Sequence, residues 1–362
     1  MSALPAIAVL AILILVHELG HFLAARLQGI YVNRFSIGFG PVLWKYQGKQ
    51  TEYALRAIPL GGYVGFPDDD EESDIAKNDP NLMRNRPIID RAIVVSAGVI
   101  ANFVFAYLVL LVMTLSVGIG TVDQPGVRIA KIIEPNTPAA TSGLQAGDIV
   151  LSANGIKFDT NLTTLDRFQT LIAKNANKSV DLEIVRDEKL LQISISPTGE
   201  SGKGKIGVRL DFTGKPHRRA VRNLGEAFDI ATQSFERLVV MTVQGLKQLA
   251  TNFQNTASQL SGPIAIVAMG SELVKSDAAA LFDFTAIISI NLAIVNILPL
   301  PALDGGQLVF LAIEALRGGK PLPETLQNNV MQGGLVLLLG LGVFMIFKDS
   351  FNLLQQSGLS PL

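Results

Sequence analysis

Hydrophobic residues concentrate in four long stretches of the chain. The first extends from residue 4 to 26 without a proline after Pro5, and the second from about 92 to 117. The third, 278–316, is too long for a single span and contains two prolines and a Gly-Gly pair, whereas the fourth covers 333–347. Because a helix needs about 20 mostly apolar residues to cross a bilayer, the pattern predicts about four transmembrane segments, the third of them broken.

Three other patterns lie between these stretches. Residues 31–66 alternate like β-strands, with Gly-Pro and Gly-Gly punctuation, which predicts a β-hairpin. A strand at 127–133 begins a small α+β module that includes a helix near 165–173. Further strands of this module are predicted near 180–186, 190–196 and 205–211. Residues 218–253 carry apolar side chains at steps of three and four, which predicts a long amphipathic helix on the membrane surface or over the helical bundle.

The pattern as a whole predicts a polytopic α-helical membrane protein with one inserted α+β domain. The predicted segments are a first transmembrane helix at 1–27, a cytoplasmic loop with a membrane-associated β-hairpin at 28–90, a second transmembrane helix at 91–118, the α+β domain at 122–213, an amphipathic helical region at 214–277, a broken third transmembrane segment at 278–316, a fourth transmembrane helix at 330–348 and a tail at 349–362.

Composition supports the membrane assignment. The 362 residues are 49% hydrophobic and 17% charged, with a mean hydropathy of +0.38, whereas soluble domains contain about 25% charged residues. The net charge of −1 gives no indication of a nucleic-acid partner. The chain has no cysteine, so any bound metal must be held by His and carboxylate side chains. The first apolar stretch lacks the basic start of a signal peptide, which favours a retained span.

The first apolar stretch contains the pentapeptide His17-Glu18-Leu19-Gly20-His21, with two of the chain's three histidines. Residues i and i+4 lie on one face of a helix, so His17 and His21 can offer two nitrogens to one metal ion, with Glu18 beside them as general base. An ionisable group inside a span costs about 2.5–3.5 kcal/mol, so three within five residues indicate a functional site. The alternatives are a chance match and a metal-free contact between helices.

Two further polar residues lie within apolar stretches. Asp304 follows the two prolines of the third stretch, at a break in the helix. Irregular backbone at membrane depth is tolerated only where protein or water receives it, so Asp304 is a candidate third metal ligand. A solvated cap on the following helix is the alternative. Asn102 is the strongest hydrogen-bonding side chain of the second stretch, where a helix–helix hydrogen bond competes with a role in substrate binding.

Lysine and arginine residues near the span ends indicate the orientation. They cluster between residues 26 and 91, which predicts that this loop is cytoplasmic and that the α+β module lies on the other side. His17, His21 and Asp304 then all fall in the cytoplasm-proximal part of their spans. This agreement supports a shared site, because the charge rule does not use the ligand assignment.

The α+β module resembles a PDZ domain in the circularly permuted form found in bacterial proteases. The resemblance is carried by Pro138-Ala139-Ala140, Gly143-Leu144, Gly147-Asp148 and Asn154-Gly155. PDZ domains bind extended peptides by adding a strand at an open sheet edge. The groove would lie between residues 204–210 and the helix near Leu165. A closed groove that serves only as a steric filter is the alternative.

The full set of features resembles the site-2 protease family of intramembrane zinc metalloproteases, in particular the bacterial branch that cuts anti-sigma factors. The shared elements are HELGH, Asn291-x4-Asn296-x2-Pro299-x-Pro301-x2-Asp304-Gly305 and a permuted PDZ domain between the second and third spans. The resemblance implies zinc on His17, His21 and Asp304, with Glu18 as base. It also implies substrate contacts for Asn291, Asn296, Pro299 and Pro301, and Asn102 is a further candidate substrate residue. The chain has only one PDZ-like module, where some members have two, and it has Gly98-Val99 in place of the usual Gly-Pro before Asn102.

The implied activity is hydrolysis of peptide bonds within transmembrane segments of single-span membrane proteins, such as anti-sigma factors or signal-peptide remnants. It would follow a prior extracytoplasmic cleavage, at a bacterial inner membrane with the PDZ-like module outside the cytoplasm. The hairpin would then be either a surface element or a membrane-associated element whose edge pairs with the substrate. A catalytically inactive PDZ-bearing membrane adaptor is the alternative. A metal transporter would need charged residues along more spans.

Overall fold

The computed structural model describes residues 4–69, 75–200, 202–253, 262–276 and 278–356. The chain forms two compact units. One comprises Met1–Met113 and Ala227–Leu362, and the other comprises Thr114–Glu226. The first unit contains the apolar helices, and the second contains the predicted α+β module.

The regular elements are numbered in chain order. The helices are α1 (Leu4–Leu27), α2 (Ile88–Ser116), α3 (Pro138–Thr141), α4 (Thr164–Lys174), α5 (Leu224–Thr251), α6 (Pro263–Ser276), α7 (Ala278–Asn296), α8 (Asp304–Leu316) and α9 (Glu324–Gln356). The strands are β1 (Arg34–Gln47), β2 (Glu52–Gly65), β3 (Ile119–Thr121), β4 (Val127–Ile132), β5 (Ile149–Ala153), β6 (Ile156–Lys157), β7 (Val180–Arg186), β8 (Lys189–Ile195), β9 (Val208–Phe212) and β10 (His217–Arg219).

Four helices of the described residues are long and apolar enough to cross a membrane: Leu4–Leu27, Ile88–Ser116, Ala279–Asn296 and Glu324–Phe351. Their number agrees with the predicted number of segments. The third predicted segment is indeed broken, because α7 and α8 are separated by residues 297–303. The fourth of these helices, α9 (Glu324–Gln356), begins before and ends after the predicted fourth transmembrane helix, 330–348.

Helices α1 and α2 cross at close range because small residues line the crossing. A Cβ added to Gly20 of α1 would lie 2.8 Å from Ala101 Cβ and 2.9 Å from the Ala97 carbonyl carbon, both in α2. Small residues are the usual means by which membrane helices approach one another. The crossing places the HELGH motif of α1 directly against α2.

The amphipathic helix α5 packs over the helical bundle, the second of the two alternatives that its pattern allowed. Ala231 and Leu238 of α5 belong to one buried cluster with side chains of α2 and α7. The Thr242 hydroxyl of α5 donates a hydrogen bond to Asn291 Oδ1 in α7, at 2.7 Å. This polar contact fixes α5 along the predicted third span.

A separate apolar helix, α6, lies inside the region predicted to be amphipathic. The Asp349 carboxylate of α9 accepts hydrogen bonds from the backbone N–H groups of Gly262 and Ala265, at 3.2 and 2.9 Å. These contacts satisfy donors that the first turn of a helix leaves free, and a carboxylate is favourable there. Ile266 of α6 packs against a cluster that contains the buried Leu13 of α1.

The predicted hairpin is present as β1 and β2, but its pairing is more complex. Residues 34–37 pair in parallel with the beginning of β2 and antiparallel with its end, residues 62–65. Residues 42–47 pair antiparallel with residues 52–56. The four segments therefore form a small sheet with 62–65 at one edge and 42–47 at the other.

The far end of this sheet exposes large apolar side chains. Leu43, Trp44 and Tyr46 are 66%, 57% and 58% exposed. Trp and Tyr favour the boundary between membrane and water. Such a tip is what a membrane-associated hairpin requires.

The second unit contains a sheet with the order β8-β7-β5-β4-β9, and β6 pairs with β5. Helix α4 covers the sheet through Phe168 and Ile172, which belong to the buried core of the unit. Arg186 Nε donates to Asp148 Oδ1 at 2.6 Å, and Asp148 is only 1% exposed. This buried ion pair ties β7 to the turn before β5.

Strand β9 forms an edge of this sheet among the described strands. A groove of about 470 Å³ lies beside it, lined by Lys131, Ile133, Gln169, Val208, Arg209 and Leu210. Because Gln169 belongs to α4, the groove lies between β9 and α4, where the sequence predicted a groove. The PDZ resemblance of the unit and peptide binding in this groove remain predictions.

Candidate metal centre

Two separated parts of the helical unit bring three ligand-type side chains together. His17 and His21 lie one turn apart on α1, and their Nε2 atoms are 3.2 Å apart. Asp304, the first residue of α8, places its Oδ2 atom 3.3 Å from His17 Nε2 and 3.5 Å from His21 Nε2. His17 is buried, and the other two side chains are partly buried.

These separations match those of a tetrahedral zinc site. Zinc–nitrogen and zinc–oxygen bonds of about 2.0–2.1 Å place two tetrahedral ligands about 3.3–3.4 Å apart. Within the described residues, the buried Asp304 Oδ2 atom has no hydrogen-bond partner, although buried polar atoms almost always have one. A cation would satisfy this oxygen. The three residues therefore fit a zinc ion, with a fourth coordination position left open.

The break in the third segment delivers Asp304 to this position. Residues 297–303 fold back against the first turn of α8, and a Cβ at Gly305 or Gly306 would overlap their backbone atoms. Ala302 adopts a φ of +68°, a conformation that costs a non-glycine residue about 1–2 kcal/mol. The packing of this turn against the first turn of α8 must therefore offset the strain at Ala302.

The outer nitrogens of both imidazoles contact α2. His21 Nδ1 lies 2.8 Å from the Val94 carbonyl oxygen, and His17 Nδ1 lies 3.1 Å from Asn102 Nδ2. Gly98 lies between these two contacts. A Cβ there would lie 2.7 Å from His21 Cε1 and 2.8 Å from His17 Cε1. The absence of a side chain at position 98 therefore makes room for both rings.

A cavity of about 360 Å³ opens beside the three candidate ligands. Glu18 lines it, as does Asn296, whose Nδ2 atom lies 3.2 Å from His17 Nε2. Gly62, at the sheet edge formed by residues 62–65, also lines the cavity, and a Cβ added there would lie 2.8 Å from Glu18 Cγ. The cavity thus joins the ligands, the predicted base and the edge of a sheet.

Comparison with known proteins identifies the family. The family model described as peptidase family M50 matches residues 5–341. This chain belongs to peptidase family M50, the site-2 proteases. The match spans both the HELGH motif and Asp304, which confirms the resemblance inferred from these motifs.

Relatives of this M50 peptidase come from several kinds of organism. A protein of Nostoc, whose name gives zinc metalloprotease as a provisional activity, is 57% identical over 98% of both chains. The chloroplast membrane metalloprotease ARASP of Arabidopsis thaliana is 44% identical over 97% of this chain and 79% of that protein. The regulator of sigma-E protease RseP of Escherichia coli is 31% identical over 94% of this chain and 97% of that protein. These relatives, together with the four apolar helices, identify the chain as an integral membrane protein.

Four of the five predicted substrate residues lie in the broken third segment, at or before the turn that leads to Asp304. Asn296 lines the cavity, and Pro299 and Pro301 lie in the turn that leads to Asp304. Asn291 is one and a half helical turns before Asn296, and its Oδ1 atom accepts a hydrogen bond from α5.

Asn102 differs from the other four. It is 0% exposed, and its Nδ2 atom lies beside Nδ1 of His17, whereas His21 and Asp304 lie beside Nε2 of that ring. This position favours an interaction with the candidate ligand His17 over direct contact with a substrate.

The sequence did not indicate three features of the site. The Val94 contact uses a backbone carbonyl, which no side-chain pattern reveals. Gly62 reaches Glu18 only because of the pairing within the small sheet. Gln307 lines the cavity one turn after Asp304. Its spacing of three residues from Asp304 on α8 could have indicated this position, because residues i and i+3 share a helix face.

Proposed function

We propose that this M50 peptidase is an intramembrane zinc metalloprotease, which hydrolyses peptide bonds within the transmembrane segments of single-span membrane proteins. One observation carries the proposal: His17 Nε2, His21 Nε2 and Asp304 Oδ2, from two apolar helical segments, are separated by 3.2, 3.3 and 3.5 Å. The names of the relatives support it further, since two of them describe metalloproteases and one describes a protease.

The metal would be held by Nε2 of His17, Nε2 of His21 and Oδ2 of Asp304. A zinc ion with three protein ligands and one open position supplies Lewis-acid activation of water and of the scissile carbonyl. Two histidines and one carboxylate form a ligand set found in zinc hydrolases. No cysteine is available to replace any of the three.

Glu18 is the proposed general base. It follows His17 directly in α1 and lines the cavity that the ligands share. In this role its carboxylate takes a proton from the attacking water and returns it to the leaving amine. Asn296, which also lines the cavity, would donate a hydrogen bond from Nδ2 to a substrate carbonyl oxygen.

A substrate helix must unwind before it is cut, because its carbonyl groups are engaged in i→i+4 hydrogen bonds. The sheet edge at residues 62–65 lies beside Glu18 and offers backbone groups to an unwound strand. We therefore favour strand addition at this edge as the way the substrate is held. Pro299 and Pro301, which interrupt the third segment, would keep the cavity open to that strand.

The second unit is assigned a filtering role. Placed outside the cytoplasm at a bacterial inner membrane, a PDZ-like module would reject substrates whose extracytoplasmic domain has not been trimmed. Its groove beside β9 is the alternative means of recognition, through an extended peptide.

Two variants test the metal and the base separately. Glu18→Gln keeps the shape of the side chain and should reduce cleavage of a model single-span substrate by about 10²–10⁴-fold, the usual contribution of a general base, with bound zinc unchanged. Asp304→Asn should lose zinc and activity together. Full cleavage by Glu18→Gln would exclude Glu18 as base. A purified wild-type protein without stoichiometric zinc would instead support the inactive adaptor.

A further inference from the structure

Asn102 has an unusual environment for a buried amide. Its side chain is fully buried, and its Nδ2 atom lies 3.1 Å from His17 Nδ1. Its Oδ1 atom is buried and has no hydrogen-bond partner in the described part of the chain. A buried acceptor without a partner is uncommon and usually has a functional reason.

The chemistry of a metal-bound imidazole supplies that reason. A neutral histidine that binds a metal through Nε2 carries its ring proton on Nδ1, and that N–H group needs an acceptor. His21 meets this requirement, since its Nδ1 lies 2.8 Å from the Val94 carbonyl oxygen, which can only accept. The corresponding neighbour of His17 Nδ1 is the amide of Asn102.

The amide can present either of its ends to the ring. With Nδ2 towards His17, the amide donates to Nδ1, which places the ring proton on Nε2 and prevents that atom from binding a metal. A half-turn about the Cβ–Cγ bond brings Oδ1 to the same place with little other movement. Oδ1 then accepts the Nδ1–H group and leaves Nε2 free for the metal.

The register of α1 against α2 supports this pairing. Val94, Gly98 and Asn102 are spaced four residues apart, so they form one stripe on α2. The two ends of the stripe contact the outer nitrogens of His21 and His17, and its centre makes room for both rings.

We propose that Asn102 is a positioning residue, whose Oδ1 atom accepts the Nδ1–H group of His17 and fixes the tautomer that binds zinc. The inference rests on the proposed zinc protease function. It assigns Asn102 to the metal centre, whereas the sequence made this residue a candidate for substrate binding. The competing explanation is a hydrogen bond that serves only helix packing.

The experiment measures zinc affinity, in competition with a chromogenic chelator, for the full chain purified in detergent. Asn102→Leu removes the acceptor at similar volume and should weaken zinc binding about 10–100-fold, the usual effect of losing the hydrogen-bond partner of a metal ligand. Asn102→Asp keeps an acceptor and cannot donate when ionised, so it should bind zinc at least as tightly as wild type. The packing explanation predicts that both variants bind zinc as wild type does or that both are impaired.

Ser289→Ala is the matched control. The buried Ser289 hydroxyl of α7 donates to the Asn102 backbone carbonyl at 2.8 Å, so this variant removes a buried hydrogen bond to the same residue without changing the contact with His17. Its zinc affinity should equal that of wild type. If Asn102→Leu does not fold, the comparison of Asn102→Asp with Ser289→Ala decides, and tenfold weaker zinc binding by Asn102→Asp overturns the inference.

The two proposals fail in different ways. A wild-type protein that binds no zinc overturns the proposed function and the inference with it. A wild-type protein that binds zinc and shows cleavage dependent on Glu18, while Asn102→Leu binds zinc as tightly, overturns the inference alone.

Discussion

A single added methyl group at Gly98 should weaken metal binding by more than about 100-fold. In Gly98→Ala the new Cβ would overlap His21 Nε2 and lie 2.7 Å from His21 Cε1 and 2.8 Å from His17 Cε1. Carbon atoms in contact prefer a separation of about 3.5–4.0 Å. The rings or α2 must therefore move apart by about 0.7–1.3 Å.

That displacement is large on the scale of a metal site. Distances from ligand to metal are held within about 0.2 Å, so a shift several times larger removes the tetrahedral arrangement of His17, His21 and Asp304. We expect zinc affinity to fall by more than about 100-fold, beyond the usual effect of a lost hydrogen-bond partner. Helix propensity acts in the opposite direction, because alanine is favoured over glycine by about 1 kcal/mol inside a helix.

The assay compares zinc content and zinc affinity of the purified wild-type protein, Gly98→Ala and Gly340→Ala. Gly340 is a matched control, because it lies in the apolar helix α9 and a Cβ there would meet no described atom within 4 Å. Gly340→Ala should bind zinc as wild type does. Stoichiometric zinc with wild-type affinity in Gly98→Ala would show that the spacing of α2 and the two rings does not control the site.

Two predictions concern the stability of the second unit. In a denaturant titration, Arg186→Leu should destabilise the unit by roughly 3 kcal/mol, because it leaves the buried Asp148 carboxylate without its ion pair. Arg128→Leu removes an exposed ion pair and should cost less than about 1 kcal/mol in the same titration. Equal losses of stability would refute the distinction between the two pairs. Hydrogen bonds from Arg219 lower the pKa of Glu226 from 4.5 to about 2, so its carboxylate stabilises the folded state above pH 4.5 and this contribution is lost as the pH falls towards 2. Melting temperatures of Glu226→Gln and wild type should therefore converge over that range, and a constant difference would contradict the assignment.

The parts of the site that sequence reasoning predicted are those set by local spacing. His17 and His21 are ligand neighbours on any helix, because the i and i+4 positions share a face. Asp304 was predicted because prolines break an apolar helix wherever they occur in its interior. The structure brings these three residues together, as the sequence led us to expect.

The remaining features depend on how separate segments pack. Residues 34–37 pair with both ends of β2, and only this double pairing brings Gly62 to Glu18. It could not be predicted, because the alternation of side chains within each strand allows a simple hairpin equally well. Helix α6 was missed because its first turn depends on a carboxylate more than 80 residues away, Asp349. Asn102 was noticed for its polarity, but its partner could not be predicted without the register of α1 against α2.

The position of Asp304 depends on both ends of α8. At the beginning of the helix, the turn that precedes Asp304 folds over Gly305 and Gly306. At its end, Glu314 is 7% exposed and pairs with Arg91 at the start of α2, with Arg91 Nη1 donating to Glu314 Oε2 at 3.0 Å. Such a buried pair contributes little net stability, because both charges lose hydration. Its effect is geometric: it ties α8 to α2, the helix that also contacts both imidazoles. Helix α2 thus contacts two of the candidate ligands directly and is tied to the helix that carries the third, although it contributes none of them.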